Sequence, residues 1–327
     1  MISRRMFLGG LAAASLSAQT QTATPGRPQA TDSFGPSVDG VPIIDAHIHL
    51  FDGTRPQGAS YTGSPEYSAV SKRSLPELYE PIARPAGIVG AVVVESSAWV
   101  EDNLWYLMVS EPSPFIVGVS GRLDPYKPEF GEYLERYSKN PLYRAIRASR
   151  FSTNDNGKIT LDKVAVDNLK LLADADLAND TGSGSVAQMT AIVMLCDAAP
   201  SLRIILNHVP RFDPAPSEQA AYEAVIKELS GRPNVFAKLS AAYRSNNHAG
   251  IQDRLEYLFG SFGEDRVIFG TDYPNSYGVA TISEEVALLK KFFATKTRAQ
   301  AEKFFWGNAG RAYKYVKRAA DQPAPPR

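Results

Sequence analysis

Short apolar runs alternate with longer segments of helical spacing along most of the chain. Eight of these runs are dense in Val, Ile and Leu, as expected for strands that are buried on both faces. The predicted strands are Ile43–His47, Gly87–Glu95, Phe115–Arg122, Tyr143–Ser149, Leu177–Thr181, Leu202–His208, Val235–Ser240 and Arg266–Asp272. The segments after them place apolar residues three and four positions apart, which predicts helices. The predicted helices are Leu75–Arg84, Val100–Ser110, Pro128–Lys139, Leu161–Ala175, Val186–Ala198, Ser217–Ser230, Ala249–Gly260 and Ser283–Thr295.

This alternation predicts the fold class. A strand followed by a helix favours parallel pairing, and eight such units close into a barrel. An open, doubly wound sheet is the alternative, but no Gly-rich phosphate loop follows the first predicted strand. The pattern therefore predicts a single α/β domain, a (β/α)8 TIM barrel over residues 41–316. A further helix, Arg298–Lys314, is expected to pack on the barrel exterior.

Both ends of the chain are expected to lie outside the barrel. Residues 1–23 carry Arg4 and Arg5 in the context SRRMFL, followed by an apolar stretch too short to span a bilayer. This pattern is typical of a twin-arginine signal peptide. We therefore expect recognition by the twin-arginine export machinery, a periplasmic or secreted location and no stable membrane anchor. Residues 24–40, rich in Pro, Gly, Ser and Thr, predict a flexible linker, and residues 317–327 predict a disordered tail.

Charge and cysteine content limit the kinds of binding partner expected for this protein. Lys plus Arg and Asp plus Glu each total 35, so the formal charge is zero. No basic run interleaves with aromatic residues, so nucleic acid is not an expected partner. The single cysteine, Cys196, excludes an internal disulfide. A small molecule remains the expected partner.

The candidate chemistry lies where predicted strands end, which is where barrel proteins carry their catalytic groups. His47 and His49 stand two apart, so both imidazoles face one point, an arrangement that suits a divalent metal such as Zn²⁺. His208 ends the sixth predicted strand and Asp272 ends the eighth. An isolated histidine pair can also be structural, and one Asp at a strand end is commonly a turn residue. Four such residues at the end of the predicted barrel where the strands end favour a functional site.

Four segments together resemble one known family. IIDAHIHLFD, IILNHVP, RVIFGTDYP and FFWGNAGRAYK are similar, in order and spacing, to the amidohydrolase superfamily. The resemblance is closest to the amidohydrolase-related branch of 2-pyrone-4,6-dicarboxylate lactonase, sugar-acid lactonases and decarboxylases. It implies that His47 and His49 form the first-strand metal pair and that His208 is the sixth-strand histidine. It further implies that Asp272 binds metal or acts as the general base.

One difference from that family leaves the complete set of metal ligands undecided. Many metal-binding members carry a histidine at the end of the fifth strand, whereas this chain reads ADLANDTGSG there. Asn179 or Asp180 could substitute for it, or Glu95 could complete a set with His47, His49, His208 and Asp272. A third alternative needs no metal, as in some lactonase relatives.

Cationic and polar residues near the same strand ends predict an anion pocket. The predicted substrate-binding residues are Arg122, Arg147, Arg150, Lys238 and Tyr243. The Arg side chain offers a rigid fork that suits carboxylates, whereas Arg144 and Arg244 are expected at the surface.

The predicted activity is water attack on a lactone, or on a related ester or amide, of a small carboxylic or sugar acid. Asp272 and His208 are its predicted catalytic residues. A metal-dependent decarboxylase and a non-enzymatic periplasmic binding protein are the alternatives.

Overall fold

The computed structural model describes residues 26–244 and 250–326, so the predicted signal peptide lies outside the described residues. Eight parallel strands form one sheet in which each strand pairs with the next along the chain. The strands are β1 Ile43–Ile48, β2 Ile88–Val94, β3 Ile116–Gly121, β4 Tyr143–Arg147, β5 Ala178–Gly182, β6 Arg203–Asn207, β7 Val235–Lys238 and β8 Val267–Ile268.

The sheet closes on itself between β8 and β1. Beyond the short β8, the backbone continues beside β1: Asp272 donates its N–H to the carbonyl of His47 at 2.9 Å, and His49 donates to Tyr273 at 2.7 Å. The predicted TIM barrel is thereby confirmed. The eighth predicted strand extends beyond β8 because its second half pairs irregularly with β1.

One helix packs outside the barrel after each strand. The helices are α1 Pro76–Ala83, α2 Asp102–Ser110, α3 Phe130–Ser138, α4 Lys163–Asp174, α5 Val186–Ala198, α6 Gln219–Ser230, α7 Ile251–Phe262 and α8 Ile282–Phe293. The start of α8 is fixed by a capping box in which Thr281 and Glu284 bond each other's backbone N–H. No helix within 26–244 or 250–326 is long and apolar enough to cross a membrane.

A short antiparallel hairpin before α4 was not predicted. Its strands, Ser152–Asp155 and Lys158–Leu161, are joined by Asn156 and Gly157, both with positive φ. An Asn-Gly pair is the usual two-residue hairpin signal, because both residues accept that backbone conformation. The sequence carried this signal, and the prediction of helix from Leu161 obscured it.

The segment after α8 packs on the barrel exterior only in part, since Phe304 stacks on Phe293 of α8 at 4.1 Å but the end of the segment covers one end of the barrel. It comprises the helix Arg298–Glu302, a π-helical turn Lys303–Gly307 and the helix Asn308–Tyr313. Ala309, Ala312 and Tyr313 pack against barrel-lining residues such as Ile44 and Ile205. The segment closes the end of the barrel where the strands begin, which shields apolar side chains from water.

Residues 317–326 are likewise ordered, and the predicted disordered tail is wrong. Arg318 donates hydrogen bonds to three carbonyls around the start of β3. Gln322 is 1% exposed and donates to the carbonyls of Val89 and Pro114. The polar tail thus supplies side-chain donors to backbone carbonyls at this end of the barrel.

Residues 26–40 also pack on the barrel rather than forming a flexible linker. Val38 is fully buried, and Arg298 donates to the carbonyls of Pro36 and Asp39. Arg27 donates to the carbonyl of Val279 at 2.8 Å. The Pro and Gly content reflects a series of turns that are held by these contacts.

Candidate active site

A buried carboxylate beneath the strand ends fixes the first and last strands together. Asp45 of β1 is fully buried and accepts the backbone N–H groups of His47 and Thr271, each at 3.0 Å. Its second oxygen accepts the hydroxyls of Thr271 and Tyr79, at 2.6 and 2.5 Å. These bonds set the backbone position of His47.

His49 presents one ring nitrogen to the site. Its Nδ1 lies 2.9 Å from the carbonyl of Val94, which can only accept, so Nδ1 carries the proton. Nε2 is then the lone-pair nitrogen, and it lies 3.2 Å from Nε2 of His47 and 3.2 Å from Oδ1 of Asp272. This tautomer is the one that binds a metal through Nε2.

Asp272 and His208 both adopt left-handed backbone conformations, with φ of 60° and 56°. Non-glycine residues rarely hold such conformations without a surrounding structure that imposes them. Nε2 of His208 lies 3.6 Å from Oδ1 of Asp272, and its Nδ1 lies 2.9 Å from the Ser240 hydroxyl. The turns therefore bring both side chains to the point that the first-strand pair faces.

The charge states of these two groups differ. Burial alone would raise the pKa of Asp272, but the facing His208, His49 and Arg244 outweigh it and lower the pKa below its usual range. Burial lowers the pKa of His208 to about 3, although the Asp272 carboxylate opposes the shift. At neutral pH the site thus combines an ionised carboxylate with a neutral imidazole.

The donor set fits a divalent metal. Among the described residues, His47, His49 and Asp272 form the one group of metal-type ligands whose donor atoms lie within 4.8 Å of one another. All three side chains are buried, and burial lowers the pKa of His47 well below its usual range, which keeps its imidazole neutral. Two neutral imidazoles and a carboxylate are a common set for such ions.

The other predicted metal ligands stay outside this group. His208 lies beside the group, with Nε2 3.6 Å from Asp272 Oδ1 and its ring centroid 4.4 Å from that of His47. Glu95 lies across the pocket, where its Oε1 is 3.6 Å from Arg122. Asn179 forms a pair of hydrogen bonds with the backbone of Ala148 and does not replace the missing fifth-strand histidine.

Lys238 is not a substrate-binding residue in this structure. It is fully buried beneath the site, where its Nζ lies 3.0 Å from Asp180 Oδ1, 2.6 Å from the Tyr313 hydroxyl and 3.2 Å from His47 Nδ1. The prediction failed because Lys238 points into the barrel below the rim, where the Asp180 carboxylate compensates its charge. Asp180 is therefore also unavailable as a metal ligand.

An open pocket of about 440 Å³ lies above these groups. Arg122, Arg147 and Arg244 all line it, together with Glu95 and Asp272. Its other lining residues are His49, Ser60, Tyr61, Ser96, Ser97, Ala98, His208 and Asn275.

Arg147 is the cation best placed to meet a substrate in this pocket. It donates a long hydrogen bond to the Glu95 carbonyl at 3.4 Å, and no carboxylate of the described ranges lies within ion-pair distance of it. Arg147 lines the pocket, and its role in substrate binding stays a prediction. Arg150 and Tyr243 do not line the pocket: Arg150 is exposed, and the Tyr243 ring lies under the Arg27 guanidinium.

Three pocket residues were missed by the sequence reasoning. Arg244, expected at the surface, donates to Asp272 Oδ2 at 2.8 Å. Asn275 donates to Asp272 Oδ1 at 3.1 Å and accepts from the Tyr61 hydroxyl. Asn275 stands three residues after Asp272 in GTDYPNS, and this proximity in sequence could have predicted that it lies in the site. Tyr61 and Arg244 come from loops whose course the sequence does not reveal.

The barrel and its ligand group together define a class: a TIM-barrel protein that carries a metal-type centre at the mouth formed by its strand ends. The amidohydrolase family model matches residues 44–315, so this chain belongs to the amidohydrolase family.

Known proteins similar to this chain include a lactonase. L-fucono-1,5-lactonase of Burkholderia ambifaria is 26% identical over 295 residues, which cover 86% of this chain and 98% of that protein. A solved amidohydrolase of Burkholderia multivorans with bound Zn has a TM-score of 0.71 at 20% identity, covering 84% of this chain and 99% of its own. A putative 2-pyrone-4,6-dicarboxylic acid hydrolase of Pseudomonas putida has a TM-score of 0.64 at 19% identity, covering 84% and 98%. The two structures share the fold, and the lactonase relative supports a hydrolase.

Proposed function

We propose that this protein is a lactonase that opens the ring of a small carboxylic-acid or sugar-acid lactone by water attack. The observation that carries the proposal is the convergence of His47, His49, His208 and Asp272 at the floor of a pocket walled by Arg147. The name of the Burkholderia ambifaria relative, which this chain matches over nearly its whole length, supports this reaction class.

A divalent cation fits the proposal. His47, His49 and Asp272 would hold it, and Zn²⁺ is the ion we propose, as in the Burkholderia multivorans neighbour. Such an ion supplies Lewis-acid polarisation of a carbonyl and lowers the pKa of a coordinated water.

Asp272 is the proposed proton carrier. Its carboxylate is ionised throughout the neutral range, so it can accept a proton from the attacking water as the new C–O bond forms. When the ring C–O bond breaks, the same proton passes to the leaving oxygen. The product is a hydroxy acid, which ionises at neutral pH and acidifies the solution.

His208 and Arg147 position the reactants in this scheme. The neutral imidazole of His208, anchored by the Ser240 hydroxyl, faces the same side of the pocket as Asp272 and can hold the attacking water. The Arg147 guanidinium can donate to the carbonyl oxygen or to a carboxylate of the substrate. Well-placed hydrogen-bond donors at a developing oxyanion lower the barrier to ring opening.

The test is a panel of lactones with purified protein of measured metal content. L-fucono-1,5-lactone, glucono-1,5-lactone and 2-pyrone-4,6-dicarboxylate are followed with a pH indicator, and released CO₂ is measured in parallel. Acid release supports the lactonase, CO₂ release supports the decarboxylase, and ligand binding without turnover supports a binding protein.

Asp272→Asn tests the proton carrier. We expect a loss of about 10²–10⁴-fold in turnover, since the amide cannot accept the proton. Asp253→Asn, at an exposed position of α7, is the matched control. Near-normal turnover by Asp272→Asn on a confirmed substrate would remove Asp272 from this role.

We also propose that residues 1–23 direct export by the twin-arginine route. Replacing Arg4 and Arg5 by Lys should retain the protein in the cytoplasm of the producing cell, whereas the unaltered chain should reach the periplasm or the medium. Fractionation followed by immunoblotting measures this, and equal distribution of the two forms would contradict the proposal.

A further inference from the structure

A second cavity adjoins the proposed active site. It measures about 390 Å³ and lies between the loops that follow β5 and β6. His208 lines both cavities, so the two cavities adjoin at this residue. Each cavity alone falls within the size range of small-molecule sites. The pair is therefore larger than one six-carbon lactone requires.

The second cavity has a different chemistry from the first. Three arginines and two carboxylates line the first, whereas the described lining of the second consists of Gly182, Ser183, Gly184, Gln188, Asn207, His208 and Phe212. This lining contains no Asp, Glu, Lys or Arg. The second cavity is therefore suited to a neutral ligand group.

Two primary amides supply its hydrogen-bonding capacity. Asn207 is 1% exposed, and neither its amide oxygen nor its amide nitrogen has a hydrogen-bond partner among the described residues. Burying both atoms unpaired is costly, so a partner from a ligand or water is expected. Gln188 accepts the Gly184 N–H at 3.2 Å, which fixes its amide over the loop. Each amide combines a donor and an acceptor, the pairing that adjacent hydroxyl groups offer in return.

An aromatic ring completes the lining. Phe212 belongs to the loop after β6, and its ring packs against Tyr222 with centroids 5.5 Å apart. An aromatic face offers an apolar, weakly negative surface to C–H groups. A sugar ring presents hydroxyls at its edge and C–H groups on its face, and this cavity supplies the complement of both.

We propose that the second cavity is a subsite for a neutral sugar, so that the substrates include aldonic-acid lactones bearing a second sugar unit. This inference rests on the proposed lactonase function: the lactone ring lies above His49 and Asp272, and the attached sugar lies beyond His208. Disaccharide aldonolactones are therefore the substrate class that uses both cavities.

The experiment compares two lactones that differ only by one sugar. Glucono-1,5-lactone and cellobiono-1,5-lactone are hydrolysed by the unaltered protein, and kcat/KM is measured for each. We expect the disaccharide lactone to be preferred by about 10-fold or more, since the two amides add hydrogen bonds that the monosaccharide cannot make. Equal values, or a preference for glucono-1,5-lactone, would overturn the inference while leaving the lactonase intact.

A cavity-filling variant tests whether the preference for the disaccharide lactone arises in the second cavity. A Cβ at Gly184 would meet nothing nearer than Gln188 Oε1 at 3.9 Å, so the backbone accepts a side chain there. Gly184 lines the second cavity and not the first, so Gly184→Leu is designed to add bulk to the second cavity. It should reduce the preference to near unity and leave kcat/KM for glucono-1,5-lactone unchanged. Gly260→Leu on α7, where a Cβ meets nothing within 4 Å, is the matched control. A preference that survives in Gly184→Leu would place the second sugar elsewhere.

Binding of the ring-opened acids gives a readout that does not depend on turnover. Calorimetry compares gluconate with cellobionate on the unaltered protein and on Gly184→Leu. Tighter binding of cellobionate, lost in the variant, supports the subsite even if neither lactone is hydrolysed, in which case the proposed lactonase function alone fails. Equal affinity of the two acids overturns the subsite.

Discussion

A buried carboxyl group on α8 should make the stability of this protein fall as the pH rises. Glu285 is 1% exposed, and neither of its oxygens has a hydrogen-bond partner at bonding geometry among the described residues. Burial raises its pKa to about 8, the charges of Asp272 and Asp45 add to the rise, and the backbone N–H of Tyr243 opposes it. The folded protein therefore holds this proton more tightly than the unfolded chain, in which the reference pKa is 4.5.

The size of the effect follows from that difference. Below pH 4.5 Glu285 is protonated in both the folded and the unfolded state, so its titration does not change the free energy of unfolding. As the pH rises to 8 the unfolded chain ionises while the folded protein does not, so the free energy of unfolding falls by about 4 kcal/mol, at ~1.4 kcal/mol for each unit. Above pH 8 both forms ionise and the loss stops growing.

Glu285→Gln tests this reasoning, because its amide has the same shape and does not titrate. The free energy of unfolding is measured by urea denaturation at pH 5, 6, 7 and 8 for both proteins. The difference between variant and unaltered protein should increase by roughly 3 kcal/mol from pH 5 to pH 8. Glu135→Gln, whose exposed carboxylate pairs only with Lys139, is the control and should change little. A difference that stays constant from pH 5 to pH 8 refutes the assignment of a buried Glu285 with a raised pKa.

Four further outcomes are expected. Lys238→Met should lower the free energy of unfolding by about 3–5 kcal/mol, because it leaves the Asp180 carboxylate buried without its cation; a loss below ~1 kcal/mol in denaturant would contradict this. Arg318→Ala should cost roughly 1–3 kcal/mol, since it removes the donor for several carbonyls at the closed end of the barrel, and hydrogen exchange at the start of β3 should accelerate. Arg147→Lys should raise KM more than it lowers kcat, because an ammonium cannot reproduce the guanidinium fork; unchanged steady-state kinetics would exclude Arg147 from substrate contact. Dialysis against a chelator should lower the melting temperature and turnover together, and re-addition of Zn²⁺ should restore both; an unaffected melting temperature would argue against a bound ion.

Residues whose role depends on strand position were predictable from the sequence. Apolar runs located the strands, and the rule that catalytic groups lie at strand ends then brought His47, His49, His208 and Asp272 together in advance. Lys238 is an exception to that rule. It also lies at a strand end, but its side chain points into the barrel below the mouth. The depth of a side chain along the barrel depends on the tilt and stagger of the strands, which the sequence does not show.

Residues whose role depends on loop paths were not predictable. Arg244 reaches Asp272 from a short 3-10 turn after β7, and Tyr61 reaches Asn275 from a loop after β1. Neither position carries a periodic signal. The terminal segments were misjudged for a related reason, because turn-rich composition describes local conformation and does not reveal whether a surface is available to pack against.

The proposed active site lies where the segment after the last strand, β8, pairs with the first strand, β1. Asp45 and Thr271 are bonded across 226 residues of sequence, and the ligands His49 and Asp272 are 223 apart. Contacts of such high contact order form late, since a long loop must close before they contribute. A nascent chain that has folded its first seven strands therefore has no complete site, and a metal ion can engage His47, His49 and Asp272 together only once the barrel has closed. For this architecture, the three-residue ligand group is completed only by the last step of barrel closure.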